Sequence, residues 1–272
     1  MGRLSDMAYL LRGAASRIRE LGAPDHRRSR PGHLGLDLAW LLAEGKRVAL
    51  RRTGVVVVSW PKSGRTWLRY MLDQLGIHLE YTHQRESEPL PAGWERKRII
   101  LLHRDPRDTT VSHWFAVTRR GGGYRGSLSD FLRDPERGLE RAMRFNLSWK
   151  DRLGRRGAAD GLALSYEALH ADTAGELGRA VAFLGGPVVA EEALRRAVAA
   201  GRFEAMHALE ASGRGARLYG DVLAPGDPAD PDSFKTREGR VGGWRAHFSA
   251  ADAAFAEALL ERHDYVRRMR AP

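Results

Sequence analysis

Val55–Val58 is a run of four valines, and the residues that follow, Ser59-Trp-Pro-Lys-Ser-Gly-Arg-Thr66, lead straight into a helical pattern. An apolar stretch without alternation, with Arg51 and Arg52 behind it and turn residues ahead, reads as a strand buried on both faces. Pro61, Ser63 and Gly64 end the strand. From Thr66 onward Trp67, Leu68, Met71, Leu72 and Leu75 recur at helical spacing. A strand hidden on both sides needs cover on both sides. This segment therefore points to an α/β protein with a central parallel sheet flanked by helices.

The junction has chemistry of its own. A helix opened by a small-residue turn presents unpaired backbone N–H groups and the positive end of its dipole, about half a unit charge. Phosphate is the usual occupant of such a site, and Lys62 adds a mobile full charge beside it. The turn is not a GxxxxGK[ST] loop and contains a single glycine. Taken alone it equally fits an ordinary strand–helix turn with a solvated lysine.

A second unit of the same kind gives it weight. Arg98–His103 (RIILLH) reads as another buried strand, broken by Arg104-Asp-Pro-Arg-Asp108. A helix is expected from Pro106 or Arg107 through Val111, Trp114, Phe115 and Val117. Two strand–turn–helix units in one parallel sheet bring their turns to the same carboxyl edge, where α/β proteins bind ligands. Both turns carry cations.

Elsewhere the pattern is plainer. Residues 1–24 read as a helix with Leu4, Met7, Leu11, Ala14, Ile18 and Leu21 on one face and Arg12, Arg17 and Arg19 off it. Such a helix either packs on the protein's own body or lies on an anionic membrane surface. Residues 25–36 form a polar connector, so the expected division is 1–36 for helix and connector and 37–272 for a single α/β domain. The stretch from Glu80 to Arg98 is polar and proline-bearing. Gly121–Gly126 reads as a flexible loop, Leu139–Leu153 as a helix, and Leu162–Ser165 as a short third strand ending at Tyr166. Helices are expected over Thr173–Leu184, over Glu191–Ala200 and after Ser249. Glu210–Gly239 is poor in apolar residues and rich in Gly, Pro and Asp, and reads as a mobile loop or lid.

Composition narrows the class. No run approaches the roughly 20 apolar residues of a membrane span. The amino terminus lacks the apolar block of a secretory signal, so a soluble, cytoplasmic protein is expected. Absence of cysteine excludes disulfides, thiolate metal sites and cysteine nucleophiles. The net charge is +11, and of 45 basic residues only Lys46, Lys62, Lys97, Lys150 and Lys235 are lysines; the rest are arginines. Arginine suits bidentate contacts to phosphate, sulfate or carboxylate. An Ala-, Arg- and Gly-rich composition spreads arginine everywhere, so its positions inform more than its total. No zinc-finger spacing, RRM aromatic motif or helix-turn-helix supports nucleic acid as the partner.

Four motifs then fall in order between residues 55 and 245: PKSGRTW at Pro61–Trp67, Arg104 with Ser112, SYEAL at Ser165–Leu169, and REGRVGGW at Arg237–Trp244. With them the chain resembles the cytosolic-type sulfotransferases that use 3′-phosphoadenosine 5′-phosphosulfate (PAPS). The resemblance implies a P-loop-NTPase-like sulfotransferase fold, PAPS as co-substrate, no metal, and a hydroxyl-bearing small molecule or glycan as acceptor. It implies that Lys62, Ser63, Gly64, Arg65 and Thr66 hold the 5′-phosphosulfate, as the family's PKSGTTW loop does. Arg104 and Ser112 correspond to the family's 3′-phosphate pair, and Arg237, Glu238 and Gly239 to the residues that close on that phosphate. Tyr166 corresponds to the tyrosine near the adenine, and Phe203 and Met206 (RFEAM) resemble another stretch there. Trp67 is placed either to stack on a purine or to join the core.

The physical requirement agrees. PAPS needs two anion sites on one edge with an aromatic platform between them, and the two turns and Tyr166 could supply these. The acceptor hydroxyl must lose a proton, which suits a neutral histidine, while the leaving oxygen gains charge, which suits a lysine. The resemblance places the histidine in a Thr-His pair some twenty residues before the 3′-phosphate arginine, and Thr82-His83 meets that description. His83 is the expected base and Lys62 the expected electrostatic catalyst; His78 and His113 are the alternatives for the base.

Some positions depart from the pattern. Arg65 stands where threonine is usual, so its guanidinium either replaces a hydroxyl contact or points toward the acceptor. Glu238 stands where lysine is usual, which weakens that phosphate contact. The dimer motif KxxxTVxxxE would fall at Arg245–Ala254, where Ser249-Ala250 and Ala254 break it, so the oligomeric state is left open. His113, Trp114, Phe115 and the loop Arg119–Arg125 are expected to border the acceptor pocket. Aromatic lining would suit a phenol; arginines and a polar lid would suit a glycan or an anionic acceptor. The rival readings are an ATP-dependent kinase, with Asp105 and Asp108 as its candidate Mg2+ ligands, and a non-catalytic nucleic-acid or polyanion binder.

Overall fold

Val55–Val58 forms the inner strand β1 of a parallel sheet in the computed structural model, which describes residues 54–85, 88, 91, 93–121, 123–185 and 189–270. The other strands are β2 (Glu80–Thr82), β3 (Arg98–His103) and β4 (Gly161–Ser165), in the order β2-β1-β3-β4. Val55–Val58 pairs residue for residue with Arg98–Leu101, and Ile99–His103 with Gly161–Ser165. The helix expected over 1–24, the connector over 25–36 and the boundary at 37 lie outside the described residues.

Alternation along the strands explains the unbroken apolar runs. Val55 and Val57, with Ile100 and Leu102, face Leu68, Met71 and Leu72 of α1 (Arg65–Gln74). Leu169 of α5 (Tyr166–Ala171) and Leu177 of α6 (Thr173–Phe183) join that layer. Val56 and Val58, with Ile99 and Leu101, face Phe145, Trp149 and Leu153 of α4 (Leu139–Arg156) on the other side. All four valines are fully buried. Each contributes about 1.5 kcal/mol or more by leaving water, so neither face can carry a polar residue cheaply.

The second unit runs from β3 into α2 (Pro106–Arg119), capped by the Asp105 carboxylate, which accepts from the Arg107 backbone N–H at 2.9 Å. α3 (Leu128–Arg133) follows, closed at its start by a reciprocal Ser127–Asp130 capping box. Helix α7 covers Glu191–Ala200, and α8 (Phe203–Ala211) continues toward the site. The chain ends with α10 (Ala250–Arg262) and α11 (Tyr265–Arg270). No helix among the described residues is long and apolar enough to cross a membrane.

Two expectations need correction. Residues 80–82 form a strand although the stretch reads as polar and proline-bearing. β2 is a three-residue edge strand with half-exposed side chains, so it carries no apolar run to betray it. Residues 210–239 are not structureless. They contain helix α9 (Arg214–Tyr219) and 3-10 turns at Gly220–Leu223 and Pro231–Ser233. Polar contacts hold them together with a small apolar cluster, in which Leu223 and Tyr219 pack with Met206 and Leu209. The Arg120 guanidinium donates to the Asp221 and Ala224 carbonyls at 3.1 and 2.6 Å, and the Ser233 hydroxyl donates to the Asp227 carbonyl at 2.6 Å.

Candidate active site

The sheet brings four strand ends to one edge, and each end delivers a functional side chain. After β4 comes Tyr166, after β3 Arg104, after β1 Lys62, and after β2 His83. All four line a single cavity of about 380 Å³. Every residue assigned to a site by sequence lines it except Ser63: Lys62, Gly64, Arg65, Thr66, Trp67, His83, Arg104, Ser112, Tyr166, Phe203, Met206, Arg237, Glu238 and Gly239. Ser63 is buried beneath the turn, and its hydroxyl has no hydrogen-bond partner.

The turn after β1 is shaped by two left-handed residues, Lys62 at φ 70° and Gly64 at φ 92°. Lysine in that region is strained, and glycine at 64 is required twice over. A Cβ there would lie 2.7 Å from the Tyr166 ring. The first turn of α1 has no side-chain cap, so its leading N–H groups face the cavity side of the turn uncapped. Burial, followed by the Lys235 charge, pushes the Lys62 ammonium well below its ordinary pKa.

Around the turn after β3, the Arg104 guanidinium stacks on the Tyr166 ring at 4.0 Å and donates to the Arg240 carbonyl at 2.8 Å. Its Nε is buried without a partner. Trp67 stands edge-on to Tyr166 with ring centroids 5.5 Å apart, and its indole N–H donates to the Gly201 carbonyl at 2.6 Å. It therefore serves the cavity wall and the core margin together. Arg237 stacks on Phe115 at 3.8 Å and pairs with Glu238, which also meets His247 at 3.2 Å. Gly239 is left-handed at φ 64°, and a Cβ there would meet Phe203 at 2.6 Å.

His83 is fixed by its Nδ1, 2.5 Å from the Ser59 carbonyl. A carbonyl only accepts, so Nδ1 carries the proton and Nε2 keeps a lone pair. Burial, then the Arg65 charge, pulls the His83 pKa down to about 4, so it is neutral at physiological pH. His78 lies beyond the far end of α1, half-exposed and paired with Asp73 at 2.9 Å. His113 packs edge-on against Trp60 and Phe131 and does not line the cavity.

Two contributors were not legible in the roles that the structure gives them. Asp108 is 3% exposed and accepts from the Gly242 and Trp244 backbone N–H groups at 2.7 and 2.9 Å. It ties the closing motif to the turn after β3. Asp105 is occupied by the cap and by Arg107, so the two carboxylates that a kinase reading would use as Mg2+ ligands both hold protein groups. Lys235 also lines the cavity. One of five lysines in an arginine-rich chain, it had only its rarity as a signal. The expected pocket border also shifts. Val111 and Ser112 line the cavity, whereas His113, Trp114, Phe115 and the described residues of 119–125 do not.

A parallel sheet with two cationic turns and an aromatic platform on its carboxyl edge defines a protein that handles a doubly anionic nucleotide. Comparison gives the family. The family model described as "Sulfotransferase domain" matches residues 87–269, and the chain belongs to that family. Human sulfotransferase 2B1 is 26% identical over 255 residues, covering 78% of this chain and 67% of that protein. Among solved structures, mouse sulfotransferase SULT7A1 complexed with PAP aligns with a TM-score of 0.62 at 20% identity, over 81% of this chain and 86% of that one. Retinol dehydratase in complex with androsterone and inactive cofactor PAP aligns at 0.59 and 19%, over 81% and 84%. The expected fold class is borne out, and the chain is a PAPS-dependent sulfotransferase by family. The matched span begins after His83 and covers neither Lys62 nor His83.

Proposed function

We propose that the chain sulfates a hydroxyl of a small-molecule or glycan acceptor, with PAPS as donor, Lys62 as electrostatic catalyst and His83 as base. The order of strand ends carries this reading: Tyr166, Arg104, Lys62 and His83 succeed one another along one edge, from an aromatic platform to a free imidazole nitrogen. The residues fit the nucleotide. Arg104 lines the cavity with its Nε buried and unpartnered, a donor available to an anion. Gly64 and Gly239 let the Tyr166 and Phe203 rings close against the backbone in the cavity wall. PAPS, when bound, supplies an activated sulfuryl group.

The roles follow from position. Arg104, Ser112, Arg237 and Gly239 hold the 3′-phosphate; Tyr166, Trp67, Phe203 and Met206 enclose the adenine. Gly64, Thr66 and the leading N–H groups of α1 hold the 5′ end. Lys62 stabilises charge on the leaving oxygen, and its strained backbone aims it from the turn. His83 Nε2 takes the acceptor proton, and the Ser59 carbonyl keeps the ring in the required tautomer. Glu238 lowers the local positive charge by pairing with Arg237, which makes Arg104 the principal phosphate contact.

Titration calorimetry with adenosine 3′,5′-bisphosphate (PAP) and ATP, followed by labelled-PAPS turnover against phenols, glycans, lipids and natural products, tests the reading. Saturable PAP binding that ATP does not match is expected. Equal affinity for ATP, or none for PAP, would overturn it.

A further inference from the structure

The β2 side of the cavity holds two cations that the nucleotide roles leave unused. Arg65 lies one helical turn before Arg69, on the same face of α1. The Arg69 guanidinium stands over the Tyr81 ring at 5.7 Å, so that face points at β2 rather than at the β3 turn. Arg65 accordingly shares its electrostatic surroundings with Tyr81 and His83. Lys235 lines the same cavity, and its charge is felt by both Lys62 and His83.

Lys235 is positioned by Glu210, a fully buried carboxylate in α8. Glu210 accepts from the Lys235 and Thr236 backbone N–H groups at 2.7 and 2.9 Å, and from the Thr236 hydroxyl at 2.7 Å. Three donors occupy its oxygens, and it fixes the backbone of Lys235 without ion-pairing to the ammonium. The contrast with the nucleotide side is direct. Arg104 and Arg237 have carboxylates within 3.8 Å, at Asp108 and at Asp232 and Glu238. Among the described residues no carboxylate comes that close to the Arg65 guanidinium or the Lys235 ammonium. Both groups are largely buried; burial, then the Arg120 and Arg65 charges, pulls the Lys235 ammonium down to about 8 against the opposing pull of Glu210. Glu210 attracts the Lys235 ammonium without pairing to it, so two largely desolvated like charges are left with no direct ion-pair partner, a costly arrangement unless a ligand supplies one.

We propose that Arg65 and Lys235 form an oxyanion subsite beside His83, and that the acceptor is a hydroxyl compound carrying a carboxylate, phosphate or sulfate close to the hydroxyl that is modified. This rests on the sulfuryl-transfer reading of the same cavity. The subsite orients the acceptor: an anion held by the two cations leaves the neighbouring hydroxyl facing His83 Nε2 and keeps the third cation, Lys62, for the transferred group. A neutral phenol or sterol would bury both charges unanswered.

The test uses the full chain saturated with PAP, so that added anions report on the acceptor side. Calorimetry compares matched pairs: 4-hydroxybenzoate with its methyl ester, glucuronate with glucose, and glucose 6-phosphate with glucose. At least one anionic member should bind about tenfold or more tightly than its neutral match, the size of one charge-assisted hydrogen bond, and should weaken with salt. Lys235→Gln and Arg65→Thr should each reduce that preference to about twofold or less while still binding PAP, which also certifies that the variants fold. Equal affinity within every pair, no saturable binding of any anionic member, or a preference untouched in a PAP-binding variant would overturn the subsite alone. Failure of the wild type to bind PAP in the first titration would overturn the sulfuryl-transfer reading, and the subsite with it.

Discussion

Replacing Asp108 by asparagine separates the docking of the closing motif from the rest of the fold. The carboxylate accepts from Gly242 and Trp244 and stands 3.8 Å from the Arg104 guanidinium. An amide offers one oxygen and sets its NH2 against the other backbone N–H. One charge-assisted bond is lost and the second becomes neutral, a cost of about 2–4 kcal/mol. At 1.4 kcal/mol per factor of ten, the segment should open about thirty- to several-hundred-fold more often. Hydrogen exchange at the Gly242 and Trp244 amides reads this directly, with the β1 and β3 amides as internal controls. Arg237 and Gly239 sit on the same segment, so PAP affinity should fall about tenfold or more. Unchanged exchange at both amides would refute the docking role. Tighter PAP binding would show that removing a negative charge beside Arg104 outweighs positioning.

Other substitutions probe the remaining parts. Arg104→Ala should weaken PAP binding by about 1.5–3 kcal/mol in calorimetry and leave adenosine 5′-phosphosulfate, which lacks the 3′-phosphate, unaffected. His83→Ala should lower kcat by about 10²–10⁴ in a PAPS turnover assay while PAP affinity hardly moves. Because burial holds the His83 pKa near 4, imidazole is protonated and disabled only as pH falls toward that value, so the free enzyme's acid limb should appear there. The anionic nucleotide favours the protonated ring and should move that limb to higher pH in the bound enzyme, and His83→Ala should lack it. Gly64→Ala forces a left-handed alanine, at about 1–2 kcal/mol, and drives a Cβ into Tyr166 at 2.7 Å. Thermal unfolding and PAP titration should both register it, since Arg104 rests on the displaced ring.

Much of this site is written locally. Val55–Val58 had to be a two-faced strand because nothing polar interrupts it, and Arg98–His103 repeats the pattern to the residue. Pro61–Gly64 had to end the first strand, and Pro106 had to open the second helix behind its Asp105 cap. Helix α7 over Glu191–Ala200 was legible from its spacing, and the helix after Ser249 from its capping residue as well. Once both turns were placed, Lys62, Arg104 and Tyr166 followed, since each sits within a few residues of the end of a strand that the pattern identifies.

The rest needed the tertiary structure. Strand order decides that β2 lies outside β1, and so carries His83 to the end of the edge opposite Tyr166. A three-residue edge strand has no periodicity from which to read this. Residues 210–239 fold around the buried Glu210 carboxylate, the Arg120 guanidinium and a small apolar cluster at Leu223, none of which recurs at a period readable in sequence. Asp108 looked like a metal-ligand candidate crowded by arginines, until the backbone of Gly242 and Trp244 arrived beside it from far along the chain. Hydrophobic periodicity and capping are short-range and leave a mark in sequence. Hydrogen bonds and charge couplings between distant positions leave none, and in this protein they decide which cations face the nucleotide and which face the acceptor.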